Sequence, residues 1–267
     1  MSIDGSAHSN EDFDVSVSDD GLVVHATIDR PEKHNAINDN VMEGLIGLME
    51  AVDGTDSRVV VIRGADGTFC SGGDLGGMEG DSSVADLRDN ARNLSRFYEV
   101  ITGMDALSVA VVEGYCLAAG CAVAAVCDFV VASEDAQFGT PEVNVGMFPM
   151  LAMAPIMRAV QEKAGLQMMF TGDHISAAEA EDIGLATEAV AGDDLDERVA
   201  ELLDSLAASS PIMIAMGKEA YYTQRDIPFQ EAHTYLKEMI SLLMMSEDTK
   251  EGIKAFNEDR DPEWKAR

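Results

Sequence analysis

Apolar residues recur along this chain in two rhythms. At 13–17 and 22–28 they form short strand-like runs, separated by Asp19-Asp20-Gly21, a turn signal that predicts a hairpin. Asn38 stands before Val41, Leu45, Leu48 and Val52, whose spacing places them on one face of a capped helix. The runs 59–62, 109–112 and 129–132 are continuously apolar, as parallel strands covered on both faces are. Helices are expected at 84–103 and, built from small residues, at 118–125. Ser176 and Glu179 form a capping box for a short helix that Gly184 stops, and 185–190 reads as a late strand. Beyond Asp193 the pattern is helical, with segments near 194–208, 211–223, 229–245 and 247–256. This alternation predicts an α/β core over 1–195 and a helical region over 196–267. The polar first dozen residues are expected to be mobile, and 31–35 to form a loop.

Charge narrows the functional classes. The chain has 267 residues, with 49 Asp+Glu against 18 Lys+Arg and a net charge of -31. Such a surface repels nucleic acid, which needs a basic footprint. The excess exceeds the magnitude of about 2–8 typical of a small soluble domain. It suits a protein adapted to high salt, where screening relieves self-repulsion. No apolar run approaches the ~20 residues of a membrane span, and the N-terminus lacks a signal-peptide pattern, so a cytoplasmic protein is expected. Cys70, Cys116, Cys121 and Cys127 show no metal-ligand spacing and read as small buried hydrophobes.

Two glycine-rich segments follow buried strands, at 68–75 and 113–121. Each turns from strand toward helix, where backbone N–H groups are unpaired and suit an oxyanion. A carboxylate that could serve them is Glu142. Pro141 fixes the backbone before it, and Val143, Val145, Met147 and Phe148 make its sequence surroundings apolar. Such a setting raises a carboxyl pKa and favours proton transfer near neutrality.

Five segments together resemble the crotonase (enoyl-CoA hydratase/isomerase) superfamily. They are Ile28-Asp-Arg-Pro-Glu-Lys-His-Asn-Ala-Ile-Asn38, Phe69-Cys-Ser-Gly-Gly-Asp-Leu75, Val112-Glu-Gly-Tyr-Cys-Leu-Ala-Ala-Gly-Cys121, Gln137-Phe-Gly-Thr-Pro-Glu142 and Ser246-Glu-Asp-Thr-Lys-Glu-Gly-Ile-Lys-Ala-Phe256. The resemblance implies a spiral of strand–strand–helix turns whose C-terminal helices build trimers, often paired as hexamers. It implies an acyl-CoA thioester substrate and no separate cofactor or metal, coenzyme A being part of the substrate. The thioester oxygen would be held by the amides of Gly73 and Ala119, with Glu142 as acid/base. His34, Ala36, Ser71, Gly72, Asp74 and Leu75 would line the coenzyme A path, with Met150 near the catalytic centre and Phe256 in the C-terminal ending. Asp74 reads more readily as a loop anchor that accepts backbone N–H bonds.

Departures bear on the reaction. Hydratases of this family use two glutamates, and the first falls on Ala122. Met150 replaces a small residue. One carboxyl suits a Δ3–Δ2 double-bond shift; hydration of a 2-enoyl thioester and a weakly active acyl-CoA-binding scaffold stay open. Where relatives often carry a phosphate-binding Lys, this chain has Asp259 followed by Arg260. The segment 76–84 is expected to wall the acyl pocket, with Met78, Met147, Met150 and Met153 as adaptable lining or plain core.

Overall fold

The computed structural model describes residues 3–74 and 84–266. Strands β1 (Phe13–Val17) and β2 (Val23–Ile28) pair antiparallel, with Phe13 opposite Ile28. Their turn is closed by Asp20, whose carboxylate accepts from Ser18 Oγ at 2.7 Å and from Leu22 N at 3.0 Å. Strands β3 (Val59–Gly64), β4 (Leu107–Val112), β6 (Phe129–Ser133) and β9 (Glu188–Val190) add in parallel. The six-stranded order is β1-β2-β3-β4-β6-β9.

The unbroken apolar runs are explained by helices on both faces. On one face Val60, Ile62, Ala110 and Val112 join Leu45 and Leu48 of α1 (Asp39–Val52) and Phe97 and Ile101 of α2 (Val84–Gly103). On the other, Val59, Val61, Val109, Val111 and Val131 meet Leu195, Val199 and Leu203 of α7 (Leu195–Ala207). Each fully buried Val, Ile, Leu or Phe among these stabilises the fold by about 1.5–3 kcal/mol. Asn38 caps α1 by accepting from Val41 N at 3.0 Å.

A second sheet is made of β5 (Tyr115–Leu117), β7 (Gln137–Gly139) and β8 (Ile175–Ser176), in that order. In chain order α3 (Ala119–Val126) follows β5, α4 (Met153–Ala159) and α5 (Glu162–Thr171) lie between β7 and β8, and α6 (Ala177–Ile183) lies between β8 and β9. The chain ends in α8 (Pro211–Gln224), α9 (Phe229–Leu243) and α10 (Glu247–Glu258). Helix α8 docks through Lys218, buried, which donates to Ala106 O at 2.7 Å and pairs with Asp128 at 2.9 Å. Tyr222 Oη donates to the same carboxylate at 2.8 Å.

Three expectations are corrected. The N-terminal dozen residues are tied down from residue 3 onward: Gly5 is buried, Asn10 Nδ2 donates to Asn40 O at 2.9 Å, and Asp12 pairs with Arg30. The late strand is limited to 188–190, because Leu185 and Ala186 turn into the core. Pro31–Lys33 is a single 3-10 turn rather than open loop.

Candidate active site

Four segments distant in sequence lie side by side. Ile37 bridges Gly73, Cys70 bridges Cys116, and β5 pairs with β7, all in parallel. Cys70 N donates to Tyr115 O at 2.8 Å and Leu117 N to Cys70 O at 2.9 Å. Gly120 is needed where α3 passes this ladder, since a Cβ there would come within 2.6 Å of Cys70 Cβ.

Two candidate amides stand on either side of this register. The Ile37–Gly73 bridge uses Gly72 O, which accepts from Ile37 N, and Asp74 N, which donates to Ile37 O, both at 2.8 Å. Gly73's own N–H therefore lies on the opposite edge of its strand. Gly72, beside it, lies against the start of α3: a Cβ there would stand 2.9 Å from Ala118 Cβ and 3.9 Å from Ala119 N. The Cys70 thiol, pushed up to about 12 by burial and so neutral, contacts both Gly72 N (3.3 Å) and Gly72 O (3.5 Å), fixing the same turn.

The second amide is at the first position of α3. Ala118 O accepts from Ala122 N at 3.1 Å, which starts the helix and points the Ala119 N–H out of its end. To make this turn Ala118 adopts φ 50 and ψ -119, and its N–H is held by Gly139 O at 2.9 Å. A non-glycine residue there stores about 1–3 kcal/mol. Ala118→Gly relieves more strain than glycine adds in unfolded-chain entropy. The expected result in thermal unfolding is a midpoint raised by about 2–4 °C.

Glu142 follows β7 by three residues, in the 3-10 turn Pro141–Val145. Thr140, buried, anchors that turn by donating from Oγ1 to Met168 O at 3.0 Å. Because Gly139 also holds Ala118, one strand end places both the carboxyl and the strained turn. Glu142 Oε2 is buried and has no hydrogen-bond partner among the described residues. Burial pushes the carboxyl above its ordinary range, against a smaller opposing backbone hydrogen bond. Of the neighbours credited from sequence, Val145 and Met147 are exposed and do not supply this burial, whereas Val143 and Phe148 are half-buried. Ala122 is fully buried.

Sequence reasoning missed Tyr98 of α2. Its Oη is likewise buried without a hydrogen-bond partner among the described residues. Burial pushes its phenol pKa up, and the nearby Cys121 and Glu142 add to the effect. In the sequence it shows only as an aromatic at the core-facing spacing of Leu94 and Ile101.

The remaining candidates are placed as follows. His34 is exposed in a left-handed conformation, φ 49, with its carbonyl accepting from Ser71 N at 3.0 Å. Ala36 is buried and its carbonyl accepts from Arg30 Nη1 at 2.6 Å. Arg30 also pairs with Asp74 at 2.8 Å and Asp12 at 3.2 Å, so it ties Asp74 to the 30–38 segment. Gly72 is buried between the ladder and Ala118. Leu75, Met78 and nearly all of 76–84 lie outside the described residues. Met150 is 67% exposed, and Met147 and Met153 are also exposed, so these three are not core. Phe256 of α10 is 87% exposed and packs against almost nothing in one chain. Arg260 is committed to Glu251 at 2.6 Å and Glu258 at 2.8 Å, and its hydrogen bond pulls the Glu251 carboxyl down to about 2.

A cavity of about 1000 Å³ lies elsewhere, between α8 and the ends of α3 and α4. Tyr98 lines it, whereas Glu142, Gly73 and Ala119 do not. The amide and carboxyl geometry, rather than cavity size, marks the candidate site.

Residues 19–267 match the family model described as enoyl-CoA hydratase/isomerase. The 2,3-dehydroadipyl-CoA hydratase of Escherichia coli (strain K12) is 31% identical over 253 residues, 94% of this chain and 98% of that protein. The mitochondrial enoyl-CoA hydratase domain-containing protein 3 of Homo sapiens is 30% identical over 238 residues, 89% of this chain and 78% of that protein. The crystal structure of an enoyl-CoA hydratase of Mycobacterium smegmatis superposes with a TM-score of 0.92 at 29% identity, covering 96% of this chain and 99% of that one.

Proposed function

The chain belongs to the enoyl-CoA hydratase/isomerase family, and on that premise we propose that it acts on acyl-CoA thioesters through an enolate. The thioester oxygen is held by the amides of Gly73 and Ala119, and Glu142 moves the proton. What carries this reading is Glu142 Oε2, buried and without a partner among the described residues, at the strand end that also fixes the Ala118–Ala119 turn. A carboxyl with its pKa raised by burial is suited to take and return a proton near neutral pH.

With Ala122 in place of a second carboxyl, the reaction favoured is the Δ3–Δ2 shift. Glu142 takes a proton from C2 of a 3-enoyl thioester, the electrons move into the carbonyl, and the proton returns at C4. The two amides stabilise the charge that develops on oxygen. Hydration of 2-enoyl thioesters is the second reading, favoured by the hydratase names of the relatives. The two are separated by following the conjugated thioester absorbance. Its gain from 3-enoyl-CoA reports isomerisation, and its loss from 2-enoyl-CoA reports hydration. Coenzyme A binding with neither change contradicts the enzyme reading and leaves the scaffold.

Two further properties go with this proposal. The excess of acids, 49 against 18 bases, makes the protein one adapted to high salt. The expected result is an unfolding midpoint that rises from low to molar KCl; a steady fall contradicts it. The assembly is a trimer or a pair of trimers formed through the C-terminal helices. In its support, Phe229, Leu242, Met245, Ile253 and Phe256 of that region are exposed in the single chain. Light scattering in molar KCl is expected to give three or six times the 28.5 kDa chain mass.

A further inference from the structure

A buried guanidinium stands behind the Gly73 amide. The peptide that carries this N–H lies between two glycines, which oppose its rotation little. A Cβ on Gly73 would meet nothing within 4 Å among the described residues, so no side-chain packing could steady it there. Its direction depends on what fixes Gly72 and Asp74. Gly72 O, in the same peptide plane, accepts from Ile37 N, and Asp74 N donates to Ile37 O, both at 2.8 Å. The Asp74 side chain adds a third hold, accepting from Arg30 Nη2 at 2.8 Å. Arg30 is buried and bound on its other sides as well. Its Nη1 donates to Ala36 O at 2.6 Å, and its Nε lies 3.2 Å from the Asp12 carboxylate. Asp12 in turn accepts from Asn38 and Asn40 at the start of α1, both at 2.8 Å. The other end of the loop is gripped from the same segment: Asn35, fully buried, accepts from Arg30 N at 2.9 Å and donates to Ala65 O at 2.8 Å and to Thr68 O.

We infer that Arg30 is a positioning residue for the reaction: through Asp74 it holds the Gly73 amide where charge develops on the thioester oxygen. The inference rests on the enolate reading above and adds the side chain that sets one of its two donors. The guanidinium is occupied by Ala36, Asp12 and Asp74, so it acts on the thioester through that tie and not by contact. An arginine suits the task because its planar fork bonds in several fixed directions at once, and a carboxylate gives it a strong, charge-assisted partner. Through Asp12 the fork stands on the capped start of α1, a rigid element, and reaches a residue 44 positions along the chain. Precision of this kind matters at an oxyanion donor, since a displacement of about 1 Å can cost about 10² in rate.

The experiment follows exchange of the C2 hydrogen of butyryl-CoA in D2O and molar KCl, well below each variant's unfolding midpoint. It compares wild type, Arg30→Met, Asp74→Ala and the double variant over a range of thioester concentrations. The expected result is a saturated rate lowered tenfold or more in each single variant, with the half-saturating concentration within threefold of wild type. The double variant is expected to be no slower than the slower single, because both substitutions remove one tie. Three results overturn the inference: a lower unfolding midpoint with an unchanged saturated rate, a loss confined to the half-saturating concentration, or losses that multiply in the double variant. If Arg30→Met fails to fold, Asp74→Asn against Asp74→Ala carries the test. Asparagine still offers Arg30 Nη2 an oxygen and is expected to recover most of the rate; equal losses in the two overturn the inference. A wild type that does not exchange contradicts the enolate reading itself, a separate outcome.

Discussion

Glu142→Gln lowers turnover of enoyl-CoA substrates by about 10²–10⁴, because the variant keeps the shape of the side chain and loses the group that titrates. Substrate affinity is expected to change little, since the amides that hold the thioester are untouched. The same substitution has an opposite effect on stability. Burial raises the carboxyl's pKa in the folded chain above its value of about 4.3 in an unfolded one. The folded state therefore binds the proton more strongly, and stability falls as pH rises through the window between the two values. Above that window wild type carries a buried charge that the glutamine variant does not. The variant is expected to unfold at a higher temperature than wild type at neutral pH, with the difference shrinking below the unfolded carboxyl's range. A variant that is slower and also less stable at neutral pH would show Glu142 in a structural role.

The second large effect is expected from removing one amide. Ala119 is the first residue of α3, a position at which proline is accepted because its missing N–H has no helical partner. Proline restrains the residue before it, so the substitution is best made together with Ala118→Gly, which frees the turn from its positive φ. Ala118→Gly/Ala119→Pro is expected to lose about 10²–10³ in kcat relative to Ala118→Gly alone, the usual effect of deleting one oxyanion donor. Ala118→Gly/Ala119→Gly, which keeps the N–H, should retain most of the activity. Equal losses in both double variants would place the effect in the turn rather than in the donor.

Much of the scaffold was legible because it rests on local rules. Asn38 before the Val41, Leu45, Leu48 stripe fixed the start and face of α1, and the Ser176–Glu179 pair with Gly184 bounded α6. The unbroken runs of β3 and β4 announced helices on both faces. The second sheet was not legible. Strands of two or three residues carry no period, and β5 exists through partners far along the chain, Cys70 on one side and Gly139 on the other. Helices α4 and α5 were also missed, in a methionine-rich stretch with no clean polar face.

The site divides in the same way. Glu142 was found from apolar neighbours in sequence, yet Val145 and Met147 face outward, and its burial comes from tertiary packing. Tyr98 could not be found at all: at its spacing an aromatic is ordinary core, and only the unpaired hydroxyl in three dimensions distinguishes it. Asp74 gained a partner, Arg30, that lies 44 residues away in sequence.

The central claim is that two amides stabilise an enolate which Glu142 forms and quenches. Nuclear magnetic resonance of a saturated acyl-CoA in D2O reads that step without reference to the overall reaction. Deuterium should enter C2 with wild type, and its rate should collapse in Glu142→Gln and in Ala118→Gly/Ala119→Pro. Exchange that proceeds undiminished in either variant, or wild type that binds the thioester and never exchanges it, would contradict the account.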